Sequence, residues 1–233
     1  MRTLAILACF CLQDPAAEKT FRAMEAKLRE APTLHVKVVT RVEGLPAGES
    51  TSTTTIHLDG AGKARIEVLA KLGARSYSLK VISDGANQTV ERSETPPPPW
   101  LPPSQARVKV PADMNARVLQ ALVQAGASGA QEYADGQYRT AADPAHPSSP
   151  FAWPELKGFR NGPAAGTLAF DVARKGDLIA TTVTLWIDPA TLLPGRRESK
   201  MTLDRAAITV TETYEGWQLG AKLDPALFTL PAK

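Results

Sequence analysis

From Asp14 onward the chain opens with apolar residues at helical spacing. Ala17, Phe21, Met24 and Leu28 recur every three or four positions and fall on one stripe. Asp14 followed by Pro15 is a start signal: an oxygen that accepts from free backbone N–H groups, then a residue with no N–H to satisfy. Pro32 ends the stretch. The pattern predicts a helix over residues 15–30 with one face to bury.

At Thr33 the period changes to two. Leu34, Val36, Val38, Thr40 and Val42 share one side, and His35, Lys37, Val39, Arg41 and Glu43 the other, as in a strand with one face in water. The same alternation runs through Ser52, Thr54, Ile56 and Leu58, then, past the turn residues Asp59 and Gly60, through Ala64, Ile66 and Val68. Tyr77, Leu79 and Val81 follow, closed by Asp84 and Gly85, and residues 88–91 return. A helix and then an antiparallel meander of about five strands are predicted.

The middle of the chain is different. Twelve of the 19 prolines fall between Pro96 and Pro163, and a residue without a ladder donor is excluded from central strands. Met114, Val118, Leu122 and Ala125 mark one helix there, with Gly126 as its end. Ser128, between Gly126 and Gly129, resembles a nucleophile elbow only loosely and belongs to the same terminator. Residues 131–162 read as surface connection anchored by aromatic residues. The whole of about 94–163 is therefore expected to be a proline-rich, partly helical insert.

Strands resume after Gly166: Leu168, Phe170 and Val172; then Ile179 to Ile187; then Arg197 to Leu203; then Ile208, Val210, Glu212 and Tyr214. Strands segregated from helices in this way define an α+β fold. The expectation is one domain, residues 14–233, built on an antiparallel sheet of about nine to eleven strands that curls and takes helices on its concave face.

Residues 1–13 stand apart. A positive start, Met1-Arg2, precedes an apolar run from Leu4 to Leu12, too short for a membrane span of about 20 residues but long enough for the core of a signal peptide. We expect these residues to direct export and to be removed. Both cysteines, Cys9 and Cys11, lie inside the segment, so the remainder has no disulfide framework and no thiolate metal site. Ile6-Leu7-Ala8-Cys9 also resembles a lipoprotein box, which would instead anchor the chain to the outer membrane through Cys9.

Composition narrows the function mainly by exclusion. The chain is 43% apolar and 22% charged, and 27 basic against 24 acidic residues leave a net +3. That is the make-up of a folded domain, with no footprint for nucleic acid. Candidate chemistry is sparse. His35 and His57 fall on the polar sides of their strands and His146 in the proline-rich stretch, which makes solvated histidine the default. No phosphate loop and no helix with metal-spaced His and Glu is present. Glu212 alternates with Val210 and Tyr214, so it points inward and needs a partner such as Arg197. A remote hydrolase alternative rests on that one carboxylate.

Several passages resemble the LolA-like superfamily of periplasmic lipoprotein-sorting proteins. They are the early helix, the strand at 34–42 and the passage Leu185-Trp186-Ile187-Asp188-Pro189-Ala190-Thr191-Leu192-Leu193-Pro194-Gly195-Arg196. Glu212-Thr213-Tyr214-Glu215 and Leu223-Asp224-Pro225-Ala226-Leu227-Phe228-Thr229-Leu230-Pro231 complete the set, with Phe228 as a plug at one end of the core. The resemblance implies an incomplete β-barrel with helices in its mouth and an apolar interior for acyl chains. On that basis Phe21, Met24, Leu28, Met114, Val118 and Leu122 are candidate lid contacts. Val36, Val38, Ile56, Ile66, Leu79, Val81 and Phe170 are candidate walls of a lipid-binding interior. The implied protein is a monomeric, non-enzymatic periplasmic carrier of lipid or lipoprotein acyl chains, with no cofactor and no metal. The alternative is an envelope sensory or scaffolding domain with a protein partner.

Overall fold

The computed structural model describes residues 14–60, 62–95, 107–142, 150–173, 181–203 and 205–232. The expected signal peptide, residues 1–13, lies outside them.

The first helix, α1, spans Pro15–Glu30. Asp14 caps it, its Oδ1 accepting from the Ala16 and Ala17 N–H groups at 2.8 and 3.4 Å. The predicted stripe of Ala17, Phe21, Met24 and Leu28 is its buried face. Five strands follow in a meander, β1 (Thr33–Glu43), β2 (Ser50–Asp59), β3 (Lys63–Leu72), β4 (Arg75–Asp84) and β5 (Asn87–Thr95). After the two-residue β6 (Val108–Lys109) comes a long helix, α2 (Met114–Ala142). A second meander closes the chain: β7 (Glu155–Asn161), β8 (Thr167–Ala173), β9 (Thr181–Asp188), β10 (Leu193–Leu203) and β11 (Ala206–Leu219).

All eleven strands form one curved, open antiparallel sheet in the order β6-β5-β4-β3-β2-β1-β11-β10-β9-β8-β7. The two meanders meet where the first strand pairs the last, with Val38 opposite Tyr214 and Val42 opposite Val210. The predicted alternation sets the faces. Leu34, Val36, Val38 and Thr40 of β1 are buried beneath the helices, as are Ile56, Ile66, Val81, Val183 and Leu185 on neighbouring strands. Lys37 and Arg41 look to solvent. Under α1 the seam is aromatic: Phe21, Phe159 and Phe170 lie 5.2–5.3 Å from one another, centroid to centroid, and each such ring contributes about 1.5–3 kcal/mol by burial.

One expectation holds and two change. The proline-rich stretch supplies no central strand: β6 and β7, which contain no proline themselves, are the two edges of the sheet. The first helical segment ends at Gly126 as expected, but a second follows it directly and runs to Ala142, where surface connection was expected from residue 131; it buries Ala127, Ala130, Tyr133, Ala134 and Tyr138. Phe228 is buried but stands outside the main core. It belongs to a short 3-10 turn, Pro225–Phe228, packed on β3 and β4 on the side away from the helices, where Arg65 donates to the Leu227 carbonyl at 3.2 Å.

Candidate functional site

The residues singled out as lid and wall come together. Phe21, Met24 and Leu28 from α1, Met114, Val118 and Leu122 from α2, and Val36, Val38, Ile56, Ile66, Leu79, Val81 and Phe170 from the sheet all belong to one apolar cluster, each no more than 2% exposed. They fill the concave side with their own atoms. Four surface clefts of about 340–560 Å³ are described, and Leu79 is the only one of the thirteen that borders any of them.

What holds that cover in place is polar. At Gly126 the backbone of α2 takes φ 80° and ψ −170°, a conformation that a side chain would strain. The helix is thus split into two segments, each with an end to satisfy at the break. Sheet residues do this from below. Arg197 on β10 donates to the Val123 and Gln124 carbonyls at 3.1 and 3.0 Å, closing the first segment with a cation. Glu212 on β11 accepts from the Ala127 N–H at 2.8 Å, opening the second segment with an anion. Both charges have the sign that the helix dipole favours. Gly126 is also the only residue that fits, because a Cβ there would lie 2.5 Å from each Glu212 carboxylate oxygen.

Glu212 is inward-facing, as its alternation with Tyr214 required, and only 2% exposed. Its hydrogen-bond partners are the Ala127 N–H and the Tyr214 hydroxyl, which donates to Oε2 at 2.7 Å. Arg197, its neighbour across the β10–β11 ladder, faces the helix carbonyls instead. Burial, reinforced by the Glu212 charge, raises the Tyr214 phenol well above its usual range, so Tyr214 stays a neutral donor. Gln124 extends the network to α1 by donating to Glu25 Oε1 at 3.4 Å. The Glu212 carboxylate makes its hydrogen bonds within the fold and lines none of the four clefts described.

A second charged cluster lies where the later part of α2 crosses β4 and β5. Arg92, whose side chain is 2% exposed, meets Asp135, and Arg139 meets the other Asp135 oxygen at 2.8 Å. Burial lowers the Arg92 pKa, with Arg139 adding to the effect. Beside it Tyr77, Gln131, Tyr133 and Phe151 line a cleft of about 550 Å³.

Two histidines depart from the solvated default, and His146 lies outside the described residues. His35 and His57 lie opposite one another on β1 and β2, on the face away from the helices, with their rings stacked. Among the described residues no three His, Cys, Asp or Glu side chains converge on a common point, and no helix is long and apolar enough to cross a membrane.

Neither a family model nor a curated protein matches the sequence. Several solved structures are similar to this chain. One is the MucA/MucB complex of Pseudomonas aeruginosa, 12% identical over 93% of this chain and 61% of that one, with a TM-score of 0.41. Another is LprF from Mycobacterium bovis, 13% identical over 94% and 98% of the two chains, with a TM-score of 0.36. The LolA superfamily protein NE2245 from Nitrosomonas europaea is 13% identical over 91% and 97%, with a TM-score of 0.37. The strand order itself defines the class: an open α+β half-barrel with its helices on the concave face.

Proposed function

We propose that this protein is a non-enzymatic carrier that binds the acyl chain of a lipid or lipoprotein between its sheet and its helices, in the cell envelope. One observation carries the proposal. The cover over the apolar face is a broken helix whose break is held by two sheet side chains, Arg197 and Glu212, rather than by a continuous α-helical ladder. Lifting α2 costs those bonds and exposes a greasy surface. An acyl chain covering that surface returns about 0.8 kcal/mol per buried methylene, or about 10 kcal/mol gross for a dozen carbons. Ordering and opening costs reduce the net gain. Because the closed interior is already full, uptake is limited by helix displacement and not by diffusion.

Native mass spectrometry tests this directly. The chain purified from cells, or delipidated and incubated with palmitic acid, is expected to carry one acyl ligand, and Leu122→Trp, which overfills the interior, to carry less. A chain that is empty on isolation and refuses added fatty acid overturns the proposal.

A further inference from the structure

On the face of the sheet that the helices leave bare, β1 and β2 set His35 directly opposite His57. The ring centroids are 4.4 Å apart with planes 30° from parallel, and the two Nδ1 atoms approach to 3.2 Å. Two metal–nitrogen bonds of about 2.0–2.1 Å meeting at about 90–110° place their donor atoms about 2.9–3.4 Å apart. In the metal-free pair this is a hydrogen bond, one Nδ1–H donating to the other Nδ1, and the same separation matches the bite of a chelating pair once that proton moves to Nε2.

We propose that His35 and His57 form a two-imidazole site for a first-row divalent transition-metal ion, Cu(II) being held most tightly, with water completing the coordination. The rings are 30° from parallel and hydrogen-bonded to each other, so each must turn about its outer torsion to direct its Nδ1 to one ion. That torsion is broad in histidine and the adjustment is small. Neutral imidazole is the ligating form. Burial lowers the pKa of both rings, and for His57 the neighbouring His35 and Arg65 lower it further while Glu67 opposes them, so the neutral form is favoured at pH 7 and ligation needs only that the ring N–H sit on Nε2 in both.

The charges around the pair are largely neutralised. Arg65, opposite His57 on β3, forks onto Glu67 Oε1 at 2.6 and 3.1 Å and also holds the Leu227 carbonyl. Lys37 on β1 pairs with Glu215 on β11 at 3.0 Å, and Lys63 with Asp59 at 3.9 Å. Gln218 of β11 lies opposite His35 and adds no charge. No third ligating side chain joins the pair among the described residues, which makes this an exchangeable surface site and not a structural one. The site is separate from the helix-covered face and independent of the carrier proposal.

The test is a Cu(II) titration of the full chain at pH 7.4, with Cys9 and Cys11 alkylated so that their thiols neither bind nor reduce copper. Electron paramagnetic resonance is expected to show one equivalent bound through two imidazole nitrogens. His35→Gln and His57→Gln should each weaken binding at least tenfold and leave one nitrogen in the spectrum, while His146→Gln changes nothing. In the chain with its histidines intact, one equivalent of Cu(II) should broaden the ring resonances of His35 and His57 ahead of His146. Unchanged affinity in both strand variants, or broadening confined to His146, overturns the site whether or not any variant folds poorly.

Discussion

Arg197 and Glu212 face each other across the β10–β11 ladder and hold opposite ends of one broken helix. The guanidinium closes the segment before Gly126 and the carboxylate opens the segment after it. Each charge is buried and hydrogen-bonded to backbone of the distant helix, with the Tyr214 hydroxyl completing Glu212 and the Ser199 hydroxyl completing Arg197.

Removing the carboxylate should be expensive. Glu212→Ala strands the Ala127 N–H and the Tyr214 hydroxyl in a dry site, with an expected loss of about 2–4 kcal/mol. Tyr214→Phe removes only a donor and should cost about 0.5–1.5 kcal/mol. Urea unfolding of both variants and of the double variant checks this, and the two effects should be less than additive because they share one hydrogen bond.

Gly126→Ala meets two penalties, positive φ and a Cβ at 2.5 Å from both Glu212 oxygens. A loss of about 1–3 kcal/mol is expected from the backbone alone. The clash adds to it, and that addition should vanish when Gly126→Ala is made in the Glu212→Ala background. Chemical denaturation of the four chains separates the two contributions.

Arg197→Met leaves the Val123 and Gln124 carbonyls without their partner and removes the guanidinium that lies 5.9 Å from the Phe170 ring centroid. The first segment of α2 should fray. Amide exchange over residues 114–126 is expected to accelerate by about tenfold, the equivalent of about 1.4 kcal/mol, while exchange in the β1–β2 hairpin is unchanged. If the carrier proposal holds, palmitate uptake by this variant is faster than by the parent chain.

Acid should weaken the fold through the histidine pair. Burial lowers the pKa of His35 and His57 in the folded state, whereas the unfolded chain titrates near the ordinary value of 6.5. Below that value the unfolded state binds more protons than the folded state. The contribution is therefore intact above about pH 6.5 and is lost as pH falls toward the lowered folded values. Thermal melts from pH 7.5 to 5 should show this decline, and the double variant His35→Gln/His57→Gln should flatten it.

The first meander and α1 were legible because each buries chiefly one side, so period and burial coincide over most of the stretch from Ala17 to Val81. The second half of α2 was not. Its stripe is made of Ala127, Ala130 and Ala134 with Tyr133 and Tyr138, side chains too small or too polar to stand out beyond two glycines that read as a stop. Small residues spaced by three and four were the available signal. The edge strands hid behind their prolines. Glu212 could be placed inward by alternation, but its partner Ala127 lies 85 positions away, at the start of the helical segment beyond the glycine break. His35 and His57 each looked solvated alone. Only the β1–β2 register, set by the turn between those strands, brings them together.

The seam between β1 and β11 has a consequence for how the molecule comes into being. Its central ladder joins residues separated by most of the polypeptide, such as Val38 and Tyr214, so neither half can find its neighbour until synthesis has passed residue 206. Such distant pairings slow the final step. A product truncated before that strand would carry two raw borders where the intact molecule has its middle, and would be prone to sticking to its own kind.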